Sequence, residues 1–167
     1  MLQKIAITGP ESSGKTTLAR QLAAHYETAF VPEFARNYLP TLHRDYIETD
    51  LLDIAKGQLQ LEKEQVAFAK KYLFCDSDMT VIKIWAMEKY QRCDAWILNQ
   101  NEVNHYDLYL LCAPDIPWES DPLRENSDDR NRLFLLYIKE LDMKNAKYII
   151  LKGNQQERLQ TAIERLT

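Results

Sequence analysis

Residues 9–16 read GPESSGKT: Gly9, four residues, then Gly14, Lys15 and Thr16. The chain has four glycines in 167 residues and spends two of them here. Glycine at this spacing lets the backbone turn tightly, so that successive N–H groups converge on an anion. A helix starting just after it adds free N–H groups and the positive end of its dipole. The lysine then reaches the β- and γ-phosphates of a nucleoside triphosphate, and the threonine hydroxyl is placed to ligate magnesium. Gly9, Glu11, Ser12, Ser13, Gly14, Lys15, Thr16 and Thr17 are therefore expected to hold the nucleotide, with Lys15 also acting in catalysis.

Such a site needs a carboxylate at the end of a neighbouring strand, to serve the magnesium shell or to accept a proton. Asp76 directly follows the apolar run YLFC and fits that place. Asp78 can share the task or cap the next helix. Glu33 and Arg36, in PEFAR, follow another apolar run. Ligands of open α/β sheets bind beyond the carboxyl ends of strands, so this pair is expected to meet a substrate. Three residues apart, the two also fit an ordinary pair on a helix surface. The segment 114–132, PDIPWESDPLRENSDDRNR, carries Arg124, Arg130 and Arg132. A lid bearing arginine would supply cations near a moving phosphoryl group and exclude water. Arg124 and Arg130 are its catalytic candidates, and a solvated loop with internal salt bridges is the plainer alternative.

These residues need elements to carry them. KIAIT (4–8) reads as a buried strand before the glycine loop, and Leu18, Leu22 and Tyr26 recur at helical spacing after it. TAFV (28–31) reads as a second strand stopped by Pro32. A long amphipathic helix follows over 46–71, with Gln58 and Gln65 on its otherwise apolar stripe. YLFC (72–75), YDLYLLCA (106–113) and KYIIL (147–151) read as three more strands. Helices are expected near 79–90 and 93–101, and from Asp128 or Asp129 through Leu141. The last helix starts at Asn154, with Glu157 completing a capping box, and turns Leu159, Ala162, Ile163 and Leu166 inward. Nearly all-apolar strands alternating with helices imply α/β architecture: a five-stranded parallel sheet with helices on both faces.

Composition narrows the function classes. The chain is 46% hydrophobic and 28% charged, which fits one globular domain over 1–167. Net charge is −4 and the pI about 5.4, against a nucleic-acid footprint. No apolar stretch approaches a membrane span, and the first residues do not form a signal peptide, so a cytoplasmic protein is expected. Three cysteines without CxxC spacing argue against a disulfide framework or zinc site. No NKxD-type base-reading motif of GTPases is present, and the length leaves little room for the partner signatures of AAA-type motors. The insertion 34–71 and the segment 114–132 suit a small P-loop kinase of nucleoside or nucleotide kinase type, with an acceptor site in the first and an arginine-bearing lid in the second.

The combination GPESSGKTTLA, VPEFAR, the GQ of KGQLQLE, FCDSD and YDLYLLCAPDIPW–DPLRE resembles the ribosylnicotinamide kinase domain, usually the C-terminal part of bifunctional proteins that also carry an adenylyltransferase. The resemblance runs from about residue 3 to residue 165 and covers only the kinase-like part. It implies transfer of the γ-phosphoryl group of ATP, with magnesium, to the 5′-hydroxyl of nicotinamide riboside. Carried onto this chain, it implies roles for Gly14, Lys15, Thr16, Thr17, Glu33, Arg36 and Asp76, and for Asp115, Trp118, Asp121 and Arg124. A cationic pyridinium favours an aromatic face and nearby carboxylates; Phe34, Tyr38, Trp85 and Trp118 are candidate faces, with core packing as the alternative. By analogy with related kinases, adenine is expected near Gly153 and Asn154. Two rivals keep every motif: a kinase for another nucleoside or small metabolite, and a nucleotide-sensing module without turnover.

Overall fold

Five short apolar runs become strands: β1 (Gln3–Thr8), β2 (Phe30–Val31), β3 (Tyr72–Asp76), β4 (Leu108–Cys112) and β5 (Tyr148–Leu151). The structure is a computed structural model and describes residues 1–117 and 129–167. All strand pairings are parallel, in the order β2-β3-β1-β4-β5. β3 and β4 are buried along their whole length, which is why they read as continuous apolar runs rather than alternating ones.

The helices are α1 (Lys15–His25), α2 (Phe34–Tyr38), α3 (Glu48–Gln65), α4 (Met79–Tyr90), α5 (Ala95–Val103), α6 (Arg130–Met143) and α7 (Gln155–Leu166). Leu18 and Leu22 of α1 and Ala162 of α7 pack with Ile5, Ile7, Phe74 and Leu110 on one sheet face. Leu133, Tyr137 and Leu141 of α6 and Ile84 of α4 cover Ala6, Leu73, Cys75 and Leu111 on the other. A third apolar cluster joins α2, α3, α4 and α5 beside the β2 edge.

The structure departs from the sequence reading chiefly around the insertion. β2 is only two residues long, because Thr28 leaves the ladder: its hydroxyl donates to the Tyr72 carbonyl at 2.7 Å and accepts from Lys70 N–H at 2.9 Å. The long helix is shorter than 46–71. Asp50 closes its start by accepting from Ile47 N–H at 2.7 Å, and a 3-10 turn (Val66–Phe68) ends it. The five-residue α2 and the 3-10 turn Leu39–Leu42 were too short to show a period. The capping box of α7 forms as read, with Asn154 Oδ1 accepting from Glu157 N–H at 2.9 Å and Glu157 Oε2 from Asn154 N–H at 2.8 Å.

Parallel strands put the five carboxyl ends at one edge. β1 is central, so the glycine loop emerges between the ends of β3 and β4. Ile7 pairs with Asp76 across β1 and β3, which brings that carboxylate level with the loop.

Candidate active site

The glycine loop is built as its sequence requires. Gly9 has φ +137°, and a Cβ there would lie 2.6 Å from the Cys112 carbonyl oxygen, so β4 closes against the bare backbone. Gly14 has φ +81° and stands immediately before α1. Ser13 is buried, and its hydroxyl donates to the Pro10 carbonyl at 2.6 Å. Lys15 Nζ lies back over the loop, donating to the carbonyls of Gly9 at 2.8 Å and Pro10 at 2.9 Å. Residues 9–17 all line a cavity of about 440 Å³, together with Glu33, Arg36, Trp85, Glu88, Leu133 and Gln155. Thus Gly9, Glu11, Ser12, Ser13, Gly14, Lys15, Thr16 and Thr17 stand together.

Asp76 is 1% exposed at the end of β3 and accepts from the Thr16 hydroxyl through Oδ2 at 2.6 Å. Its Oδ1 is buried without a hydrogen-bond partner. Burial pushes its pKa up to about 6; the Thr16 bond, Lys15 and Arg36 pull it down, and Glu33 raises it. A hydroxyl and a carboxylate meeting beside a phosphate loop, with one carboxylate oxygen unsatisfied, fit a hard cation that takes oxygen ligands and shares phosphate oxygens. Asp78 does not join them. It points under the loop, where its Oδ1 accepts from the Thr8 hydroxyl at 2.9 Å, and it makes no side-chain cap to α4.

Glu33 and Arg36 reach the same cavity from the end of β2, with Arg36 Nη2 3.9 Å from Glu33 Oε2. Gln58, on α3 and 1% exposed, holds this segment by both ends of its amide. Its Oε1 accepts from Phe34 N–H at 2.9 Å and its Nε2 donates to the Pro32 carbonyl at 3.1 Å. Gly57 makes room for it: a Cβ there would come within 2.3 Å of the Phe34 ring. Phe34 itself packs on Tyr38 at 5.4 Å between ring centres and does not line the cavity. Of the candidate aromatic faces in the described residues, Trp85 lines it, with Nε1 donating to the Tyr46 hydroxyl at 2.9 Å.

The arginines divide. Arg130 starts α6 and donates to the carbonyls of Ser12 at 3.1 Å and Ile116 at 2.7 Å, so it braces the glycine loop. Arg132 pairs with Glu88 across α6 and α4 at 2.5 Å. Arg124, Trp118 and Asp121 lie outside the described residues, as does most of the expected lid. Asp115, expected at the acceptor, binds Arg158 and accepts from Gly153 N–H at 2.7 Å. Asn154, expected near adenine, has its side chain occupied by the cap; its neighbour Gln155 lines the cavity instead.

Sequence reading missed Arg158, Gln58 and Gln155. Arg158 sits four residues before Ala162, on the apolar face of α7, and a charge on that face was the available signal. Gln58 was visible as a polar residue on an apolar stripe, without the partner that explains it.

The fold and the loop define the class: a P-loop protein with the architecture of nucleoside and nucleotide kinases. The chain belongs to the AAA domain family, whose model matches residues 4–158. It is 29% identical over 154 residues to the trifunctional NAD biosynthesis/regulator protein NadR of Escherichia coli (strain K12), covering 89% of this chain and 38% of that protein. Solved structures of NadR protein in complex with NAD and AMP-PNP, and in complex with NR, superpose with TM-scores of 0.76 and 0.78 at 24% and 23% identity. Each match covers 98% of this chain and 48% of the other. Deoxyadenosine kinase from M. mycoides, with products bound, superposes with a TM-score of 0.68 at 14% identity and 98% coverage of both chains. The chain therefore spans less than half the length of the NadR proteins it matches.

Proposed function

We propose that this protein transfers the γ-phosphoryl group of ATP, with magnesium, to the 5′-hydroxyl of nicotinamide riboside. The observation that carries the reading is the meeting of three groups from three strand ends: the phosphate loop, the Asp76–Thr16 pair and Glu33. Similarity to NadR over nearly the whole chain supports the acceptor. So does the cavity wall, where Trp85 offers an aromatic face and Glu33 offers a carboxylate to a cationic ring.

The roles divide by accessibility. Loop N–H groups receive the β- and γ-phosphates, and Lys15 exchanges the Gly9 and Pro10 carbonyls for phosphate oxygens. Thr16 and Asp76 would hold magnesium, which offsets charge on the phosphates when bound. Asp76 is committed to the Thr16 hydroxyl and the cation, so proton transfer falls to Glu33, which lines the cavity and can accept the proton of the attacking hydroxyl. Arg36 beside it offers a donor to the acceptor. Arg130 fixes the loop from outside.

The test is ADP release with ATP and magnesium across a panel of nucleosides, with Lys15→Ala and Asp76→Asn as controls. Release that depends on nicotinamide riboside and is lost in both variants is the expected result. Turnover with another nucleoside would keep the mechanism and replace the acceptor. ATP binding without turnover would favour a sensor.

A further inference from the structure

Arg158 is the only arginine among the described residues with no exposed surface, and its charge lies between α7 and the sheet. Burying a guanidinium is costly unless its N–H groups are matched. Here four of its contacts are hydrogen bonds to three separate segments. Nη1 donates to the Ser13 carbonyl at 2.7 Å, Nη2 to the Ala113 carbonyl at 2.8 Å, and Nε to the Gly153 carbonyl at 2.8 Å. Nη2 also binds the Asp115 carboxylate, whose other oxygen takes Gly153 N–H at 2.7 Å. One side chain thus ties the phosphate loop, the end of β4 and the turn from β5 to α7.

We infer that Arg158 is a positioning residue for the nucleotide, aiming the phosphate loop and setting its distance from the β5–α7 turn. This rests on the reading of the cavity as an ATP site. The peptide group joining Ser13 and Gly14 is planar and trans, so its carbonyl and its N–H point in opposite directions. Holding the Ser13 carbonyl on Arg158 therefore fixes the direction of Gly14 N–H, on the loop that lines the cavity. The Gly153 bonds act on the other side. Two residues on, Gln155 lines the cavity with its Oε1 buried and unpartnered, and its Nε2 lies close over Gly14, 2.7 Å from where a Cβ would be. The turn that carries Gln155 and the loop that receives the phosphates are thus adjacent, and Arg158 is their shared tie. Lysine, with one compact ammonium, cannot span Ser13, Ala113, Gly153 and Asp115 together.

The experiment compares wild type, Arg158→Lys and Asp115→Asn. It measures AMP-PNP affinity by calorimetry, KM for ATP and for nicotinamide riboside, kcat, and the unfolding midpoint. Arg158→Lys is expected to weaken AMP-PNP and raise KM for ATP about tenfold, the scale of one or two misplaced hydrogen bonds. KM for the acceptor should stay within about twofold. Asp115→Asn, which leaves the arginine in place, should shift the same parameters by less. Folded variants with wild-type AMP-PNP affinity and an altered unfolding midpoint alone would reduce Arg158 to a stabilising role and overturn the inference. If Arg158→Lys does not fold, unchanged AMP-PNP affinity in Asp115→Asn has the same force. Absence of AMP-PNP binding in wild type would instead sink the ATP-site reading itself.

Discussion

Under the proposed function, Asp76 is pulled two ways. Burial favours its neutral form, whereas a cation site needs it ionised. Its pKa, pushed up to about 6, records the conflict. The folded value lies above the ordinary 3.8, so the fold favours the protonated acid, and this side chain's contribution to stability is best at low pH and declines as pH rises through about 6. Activity runs the other way. Magnesium-dependent ATP turnover is expected to fall as pH drops through about 6, when Asp76 takes a proton. Asp76→Asn should abolish turnover while raising stability at pH 8, by at most about 3 kcal/mol. Its advantage over wild type should vanish near pH 4. Denaturant titrations at the two pH values check the sign, and an advantage at pH 4 alone would contradict it. Asp76 could be singled out in the sequence because it ends an apolar run. That Asp78, two residues on, turns under the loop to Thr8 could not, since Ser77 reverses the chain between them with φ +79°.

At the scale of elements, the short α2 depends on α3. Gln58 holds the backbone on both sides of Glu33, and Gly57 accepts the Phe34 ring against the helix. Alanine for glycine inside a helix ordinarily stabilises by up to about 1 kcal/mol. Here the sign should reverse: Gly57→Ala forces Phe34 outward and is expected to cost about 1–3 kcal/mol of stability. It should also lower turnover by displacing Glu33, with AMP-PNP affinity kept. Chemical denaturation and calorimetry on the variant measure both. The regular elements were legible because their periods are long enough to read: α1, α4, α6, α7 and the buried strands stand close to their sequence bounds. α2 was not, at five residues, and β2 was overestimated because Thr28 looks like a strand residue until its hydroxyl is seen bonded to Tyr72 and Lys70. Ties between distant elements leave little local trace. Arg158 and Ser13 are 145 residues apart, and no spacing rule connects them.

For the whole molecule, the decisive fact is that β1 lies between β3 and β4. That order delivers Asp76 to one side of the phosphate loop and Ala113 with Asp115 to the other, while β2, beyond β3, brings Glu33 and Arg36. The parallel sheet was legible from the alternation of apolar runs and helices; the strand order was not, since it is set by crossovers whose direction the sequence does not print. Under the proposed function, this architecture gathers a nucleotide and an acceptor in one cavity. Transfer of label from ATP carrying radioactive γ-phosphate tests this most directly, with nicotinamide riboside offered in the presence of magnesium and the products separated by chromatography. One labelled product is expected, the 5′-phosphate of the nucleoside, formed at least about 100-fold more slowly by Glu33→Gln with nucleotide affinity unchanged. Label appearing only in inorganic phosphate, or undiminished transfer by Glu33→Gln, would contradict it.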